Sequence, residues 1–380
     1  MRKIKYIGYY ALPERHRNRS FVLAATNKMT YICEALNEIG YEVEIVSASG
    51  SSQKERAIYC SVNLHTTLKL FRSFGQGSKL QRVLKRWMLL MSFFCYLLFH
   101  LKKDEPVLVY HSLGYMSLVA WLKKLTGCKL ILEVEEIYSD VVGNQQIREK
   151  ELEFFHLADA YLFPTELLDE AINTRRKPSV IIYGTYRIER EREGRVFLAD
   201  CLPARKHLLY AGTFDPRKGG VAAVAAAEFL PEGYHIHILG FGSDNDKQVL
   251  QHEIEARKNA GGATVTMDGL LHGEDYIRFV QSCDVGFCTQ MSDTAFNNTS
   301  FPSKVLSYLA NGLRVVSVRI PALERSAVND LLYYYDGSDP KKIAEAVMKM
   351  DWSKPYDSRV VIQKLDKKFV KEIRELLNDQ

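Results

Sequence analysis

Residues 207–239 read HLLYAGTFDPRKGGVAAVAAAEFLPEGYHIHIL. A short apolar run, His207–Ala211, ends in glycine. A turn carrying Asp215, Pro216 and Gly219-Gly220 follows, then the alanine-rich stretch Val221–Phe229, then a second apolar run, His235–Leu239. Strand, helix and strand in this order form a βαβ unit of a parallel sheet. The same alternation recurs on both sides. Strands are expected at Ile4–Tyr9, Glu42–Ser47, Val107–His111, Lys129–Val134, Ala160–Phe163 and Ser179–Tyr183 before it, and at Thr264–Met267, Val285–Cys288, Arg314–Val318 and Leu331–Tyr335 after it. Helical patterns fall at Ala24–Ile39, Leu118–Leu125, Asp246–Lys258, Asp275–Gln281 and Ser303–Ala310. So many strands exceed one comfortable doubly wound sheet, and the economical reading is α/β with two Rossmann-like domains. The charged stretch Thr185–Lys206 separates them. The expected domains are 1–190 and 191–355, with 356–380 a closing helix that packs back on the first domain.

Composition agrees with such an architecture. The 380 residues are 47% hydrophobic and 26% charged, close to globular averages, which excludes disordered, collagen-like and coiled-coil chains. The formal net charge of +5 is too small to indicate a nucleic-acid binder. Seven cysteines without a CxxC pair give no zinc site and no disulfide framework, and they suit a reduced, cytoplasmic compartment. No signal-peptide core is expected, because the polar, basic stretch Pro13–Arg19 follows the first apolar residues.

The charge is unevenly placed. Residues 1–200 carry 29 Lys/Arg against 23 Asp/Glu, and residues 201–380 carry 22 against 23. Within 54–103 there are ten basic residues and one acidic residue, Glu55. That segment holds the most apolar run of the chain, Trp87–Leu101, too short for the roughly 20 residues of a bilayer span. It reads first as a buried helix of the first domain and second as an element at an anionic membrane surface, where each nearby cation contributes about 1 kcal/mol.

Ligands of open parallel sheets bind beyond the carboxyl ends of the strands, so the loops after strands are the first candidates. Four stand out in the second half. Gly212 to Gly220 combines glycines with Arg217 and Lys218, suited to phosphate. Gly240-Phe241-Gly242 lacks the third glycine of a dinucleotide fingerprint. Asp268-Gly269-Leu270 ends the next strand. The fourth stretch, 297–312, reads NNTSFPSKVLSYLANG: small polar residues lead into a helix from Pro302 or Ser303, whose free amides and dipole suit an anion. In the first half, Glu133, Glu135 and Glu136 crowd one strand end, His111 ends another, and the loop after the first strand offers Asn18, Ser20 and Asn27. A carboxylate there suits orientation or deprotonation of a hydroxyl.

Taken in order, these motifs resemble the retaining GT-B glycosyltransferases of family 4, the group 1 enzymes of bacterial surface polysaccharide synthesis. The resemblance is specific over about 207–320 and weaker elsewhere. It implies two Rossmann-like domains facing across a cleft, a UDP- or GDP-linked sugar donor on the second, and a glycan or lipid-linked acceptor on the first. It implies no metal and no cofactor. Gly212, Thr213, Arg217 and Lys218 then fall near the donor diphosphate, Gly240 and Gly242 in the second glycine loop, and Leu270 at the base. Thr299, Ser300, Phe301, Pro302, Ser303, Lys304, Val305 and Ser307 match the loop and helix over the sugar and phosphates. Lys218, Glu135 and Glu136 take the catalytic positions, with Asn18, Ser20, Asn27 and His111 on the acceptor side. The chain departs from the family in three places: Thr213 replaces an arginine, Glu135-Glu136 a His-Asp pair, and Thr299 and Ser307 two glutamates. A neutral hydroxyl is a weaker acceptor than a carboxylate. A peripheral position on the cytoplasmic membrane face, through 54–103, fits a lipid-linked acceptor. The readings weighed against this one are a non-catalytic sugar-nucleotide binder or scaffold, a sugar-nucleotide epimerase and an NAD-dependent oxidoreductase.

Overall fold

The computed structural model describes residues 2–75, 77–194, 196, 206–257, 261–291 and 299–378. The chain forms two compact units, Met1–Thr185 with Lys367–Gln380, and Tyr186–Asp366. The division falls at Thr185/Tyr186 where 190/191 was expected, and the closing helix, Ser358–Asn378, begins in the second unit and ends in the first.

The first unit contains β1 (Arg2–Gly8), β2 (Tyr41–Ser47), β3 (Lys54–Glu55), β4 (Ile58–Asn63), β5 (Thr66–Leu70), β6 (Ser73–Phe74), β7 (Pro106–Tyr110), β8 (Lys129–Glu133), β9 (Ala160–Phe163) and β10 (Ser179–Ile181). Eight of them form one sheet in the order β10-β9-β8-β7-β1-β2-β5-β4, parallel throughout except for β4 on β5. β3 and β6 pair separately. The second unit contains β11 (Lys206–Thr213), β12 (Tyr234–Phe241), β13 (Thr264–Gly269), β14 (Val285–Cys288), β15 (Arg314–Val318) and β16 (Leu332–Tyr335), in the all-parallel order β13-β12-β11-β14-β15-β16. Central strands such as β9 and β14 are buried along their whole length, as expected for sheets covered on both faces.

Both sheets reverse their strand order once, between β1 and β7 in the first unit and between β11 and β14 in the second. Outside the carboxyl ends of those strands lies the crevice where this topology takes its ligand. The twelve expected strands are all present. The four additional ones, β3 to β6, lie in the stretch whose charge had drawn attention.

The apolar run 87–101 belongs to a longer helix, Lys79–His100, opened by a capping box in which Ser78 and Gln81 satisfy each other's backbone amides. The first expectation, a buried helix, holds for one stripe of it. Only Leu89, Phe93 and Leu97 are buried, against Val46, Phe71 and Tyr115 of the core, while Leu80, Val83, Leu84 and Trp87 are exposed. A helix lying on one side of a sheet buries one stripe, and none of the unit's described residues covers the other. By length and composition it is the one helix among the described residues that could cross a membrane.

Candidate functional site

The site of the second unit is built where β11 and β14 part. The helix Ser303–Ala310 is laid against the sheet by Tyr308, whose hydroxyl accepts the Ala211 amide at 2.8 Å. Its ring covers Gly286, where a Cβ would lie 2.2 Å from it. The first turn of this helix has Pro302 at the N-cap and no side-chain cap, so part of its amide set faces outward. From that turn Lys304 reaches inward. Its ammonium is buried, stands 4.1 Å from the Tyr210 ring centroid, and has no hydrogen-bond partner among the described residues. Burial pushes the Lys304 ammonium down to about 8, and the nearby Lys218 adds to the effect. Gly212, at the end of β11, leaves room beside it: a Cβ there would lie 3.3 Å from Nζ.

Two glycines are fixed by close backbone approach. Gly219 has φ +85°, and a Cβ on it would sit 1.7 Å from the Thr289 carbonyl oxygen. Gly240 has φ +146° and the same 1.7 Å conflict with the Gly212 carbonyl. Thr289 Oγ1 donates to the Gly219 carbonyl at 2.7 Å, tying the end of β14 to the Lys218 turn. The result is a cationic, glycine-lined recess with a helix N-terminus over it, suited to a diphosphate.

The expected residues divide accordingly. Gly212, Lys218, Gly240, Lys304 and the Pro302–Val305 turn come together, with Val305 buried as the anchor. Thr213 closes β11, and its carbonyl accepts from Tyr210 at 2.7 Å. Gly242 packs on Phe214, where a Cβ would lie 2.8 Å away. Leu270 follows β13 and is exposed. Phe301 is buried, Thr299 and Ser300 half-buried. Two of the expected residues are engaged within the unit. The Arg217 guanidinium pairs with Asp215 at 2.6 Å and holds that carboxyl at about 2. Ser307 hydrogen-bonds the Tyr276 phenol, so its hydroxyl is engaged inside the unit. Asn297 and Asn298 lie outside the described residues. Tyr210, Tyr308 and Gly286 were missed. The signal for the last two was a glycine inside a strand facing an aromatic residue on the next helix.

In the first unit the acidic strand end is an interior network. Glu133 is fully buried, accepts the Tyr6 hydroxyl, and is raised to about 8 by burial, against the pull of Lys28. Lys28 is buried too, donates to the Ile182 carbonyl at 3.0 Å and pairs with Glu135. Glu135 is thus held in place by a cation, and Glu136 lies half-buried beside it. His111, expected on the acceptor side, is buried. Nε2 meets Glu151 at 2.6 Å, under the rings of Tyr138, Phe154 and Phe155. Burial raises the Glu151 carboxyl, but hydrogen bonds from His111 and Ser139 overcome it and hold it below the usual carboxylate range. Ser20 lines a cavity at the carboxyl ends of β1, β2 and β7; Asn18 and Asn27 are exposed and outside that lining. Among the described residues no three His, Cys, Asp or Glu are grouped to hold a metal, and the six described cysteines are free.

No curated protein sequence matches the chain. Solved structures do, over nearly the whole length. Sucrose-phosphate synthase from Thermosynechococcus elongatus superimposes with a TM-score of 0.69 at 15% identity, covering 100% of this chain and 99% of that one. The α,α-trehalose 6-phosphate synthase from Burkholderia multivorans gives 0.69 at 13% identity, covering 100% and 96%. The E. coli trehalose-6-phosphate protein bound with UDP-2-fluoro glucose gives 0.66 at 12%, covering 99% and 98%. At these identities the likeness establishes the fold, two Rossmann-like units of the GT-B type. In sequence, residues 205–350, within the second unit, match the family described as Glycosyl transferases group 1.

Proposed function

We propose that the chain is a glycosyltransferase that binds a UDP- or GDP-linked sugar on its second unit. The observation that carries this reading is the buried ammonium of Lys304 at the strand reversal, without a hydrogen-bond partner among the described residues, beside Gly212 and under an uncapped helix N-terminus. As the glycosidic carbon–oxygen bond breaks, negative charge builds on the departing diphosphate. Lys304, Lys218 and the first-turn amides are already in place to stabilise it, which is the most effective form of electrostatic catalysis. The family match over 205–350 and the donor-bound E. coli neighbour support the same donor class.

The finer reading is transfer with retention, by same-face attack of the acceptor hydroxyl and without a metal, onto a glycan or lipid-linked acceptor in exopolysaccharide or capsule synthesis at the cytoplasmic membrane face. Glu135, fixed by Lys28, and Glu136 are the carboxylates proposed to orient that hydroxyl. A second reading, a non-catalytic sugar-nucleotide binder, is favoured by one observation: Ser307 stands at a family carboxylate position and is bonded to Tyr276.

A thermal-shift series with UDP, GDP and their sugars, with NAD as control, tests the proposal. Native-state ligands raise stability by mass action. Stabilisation by one nucleoside diphosphate and its sugar, absent in Lys304→Ala, is expected. Donor turnover then separates enzyme from binder. Stabilisation by NAD alone, or by no nucleotide, would overturn the reading.

A further inference from the structure

The first unit has a cavity of about 900 Å³ whose lining includes one of the expected acceptor-side residues, Ser20, and whose cations none of the assignments above uses. It opens at the carboxyl ends of β1, β2 and β7, the reversal point of that sheet. Its lining includes Tyr9, Ser20, Ser52 and Ser112, the backbone at Gly50 and Gly75, and no carboxylate. Three cations enter it from the helix Lys79–His100: Arg82, Lys85 and Arg86. The helix face that reaches the core at Leu89, Phe93 and Leu97 presents Arg82 and Arg86 to the cavity one and two turns earlier, since positions 82, 86, 89 and 93 share one face.

Neither Arg82 nor Arg86 makes an ion pair with a described carboxylate, and the one acidic residue in that stretch, Glu55, is bound to Arg19 at 2.7 Å. Gly114 admits both Arg86 and Tyr9: a Cβ there would lie 3.1 Å from the Arg86 guanidinium and 2.3 Å from the Tyr9 hydroxyl. A guanidinium pair among hydroxyls and backbone amides, with no acid present, is complementary to phosphate.

The opposite face of the same helix carries Leu80, Leu84 and Trp87 in the open, and Val22, on the cavity lining, is 65% exposed. Cation-lined recess and uncovered apolar ridge therefore lie on two sides of one helix. A lipid phosphate joins those two chemistries: the headgroup oxygens meet Arg82 and Arg86 while the acyl region takes the ridge.

We infer that this cavity is the binding site for the phosphate group of a lipid-linked ligand, with the helix Lys79–His100 lying in the surface of the membrane that carries it. The inference rests on the transferase reading only in making that ligand the acceptor; the phosphate site stands on the first unit alone.

The test is flotation with phosphatidylcholine vesicles, with and without about one-fifth phosphatidic acid, alongside thermal protection by inorganic phosphate. The wild-type protein is expected to float only with phosphatidic acid, and inorganic phosphate should compete. Arg82→Ala/Arg86→Ala should weaken binding by about 30-fold, the order expected for two cations at an anionic surface. Both side chains are exposed, so folding should be retained, and UDP or GDP protection should persist as the check. Leu84→Ser/Trp87→Ser should lose vesicle binding and keep phosphate protection. Lys304→Ala should lose nucleotide protection and keep vesicle binding, so failure of the donor reading is seen separately. Equal flotation of the double arginine variant and the wild type would overturn the site. Phosphate protection that needs Arg82 and Arg86, without flotation, would overturn the lipid assignment and leave a soluble phosphate ester as the ligand.

Discussion

The two sheets each reverse their strand order once and place charge near that point, yet they treat it oppositely. At the carboxyl edge of the first unit, cations contributed by the loop and helix after β1 are matched: Lys28 by Glu135, Arg19 by Glu55. His111 is likewise bonded to Glu151. At the corresponding edge of the second unit, the Lys304 ammonium is buried with no hydrogen-bond partner or counter-ion among the described residues. A buried charge without a counter-ion costs folding free energy and persists where it acts on something outside the chain. The comparison separates charge that the fold neutralises from charge left for a ligand: the proposed donor site uses the unmatched Lys304, and the proposed phosphate site uses Arg82 and Arg86 of the helix Lys79–His100, away from the acidic strand end that the sequence makes prominent.

Parallel lysine-to-methionine substitutions give the strongest test. Lys28→Met removes the partner of Glu135 and the cation nearest Glu133 and should cost about 3–5 kcal/mol, read as a lowered denaturation midpoint. Lys304→Met removes a charge that folding disfavours. With its ammonium at about 8 in place of 10.5, relief of up to about 3 kcal/mol is expected at neutral pH, from about 1.4 kcal/mol per unit. The same variant should lose nucleoside diphosphate affinity by about 10- to 100-fold, the loss of one charge-assisted contact, measured by calorimetry. Two destabilised proteins would break the comparison.

Opposite pH slopes should sharpen it. Glu133 titrates near 8 in the folded chain against 4.5 ordinarily, so between those values the unfolded state binds fewer protons and stability falls as pH rises. Lys304 titrates near 8 against 10.5, so between those values the unfolded state binds more protons and stability rises with pH. Denaturation of Glu133→Gln and Lys304→Met across pH 5–10 should each remove one slope. Nucleotide affinity should also decline above pH 8, as Lys304 loses its charge.

A smaller effect is expected at the helix anchor. Tyr308→Phe leaves the buried Ala211 amide without its acceptor and should cost about 1–3 kcal/mol in chemical denaturation, with weaker nucleotide binding as the helix N-terminus loosens. The smallest is Asn27→Ala. Its side chain is exposed and outside the cavity lining, so stability within about 0.5 kcal/mol of wild type and unchanged phosphate protection are expected.

Much of this was legible in residue order. Twelve strands follow from short apolar runs between helical patterns, because a parallel strand buried on both faces is written as a continuous apolar segment. β4 and β5 were overlooked because TTLKL and IYCSVN alternate polar and apolar residues at a sheet edge, beside charges that dominate the reading. The helix that begins at the turn around Lys304 was legible through its small residues and its proline, which also carry the proposed anion site. Which basic residue is free was not. Arg217 and Lys304 look alike in sequence, and only the fold sets Asp215 against one and a tyrosine ring over the other.

The amino-acid sequence by itself determined the α/β class, the presence of two Rossmann-like domains and the order of the loops, since these depend on hydrophobic period and turn chemistry over a few residues at a time. The tertiary structure alone decided which charges are neutralised, which strand end is interior, and that the apolar helix buries one stripe and leaves the other bare. Those outcomes depend on side chains many residues apart meeting across strands, and pairing and desolvation are properties of that meeting.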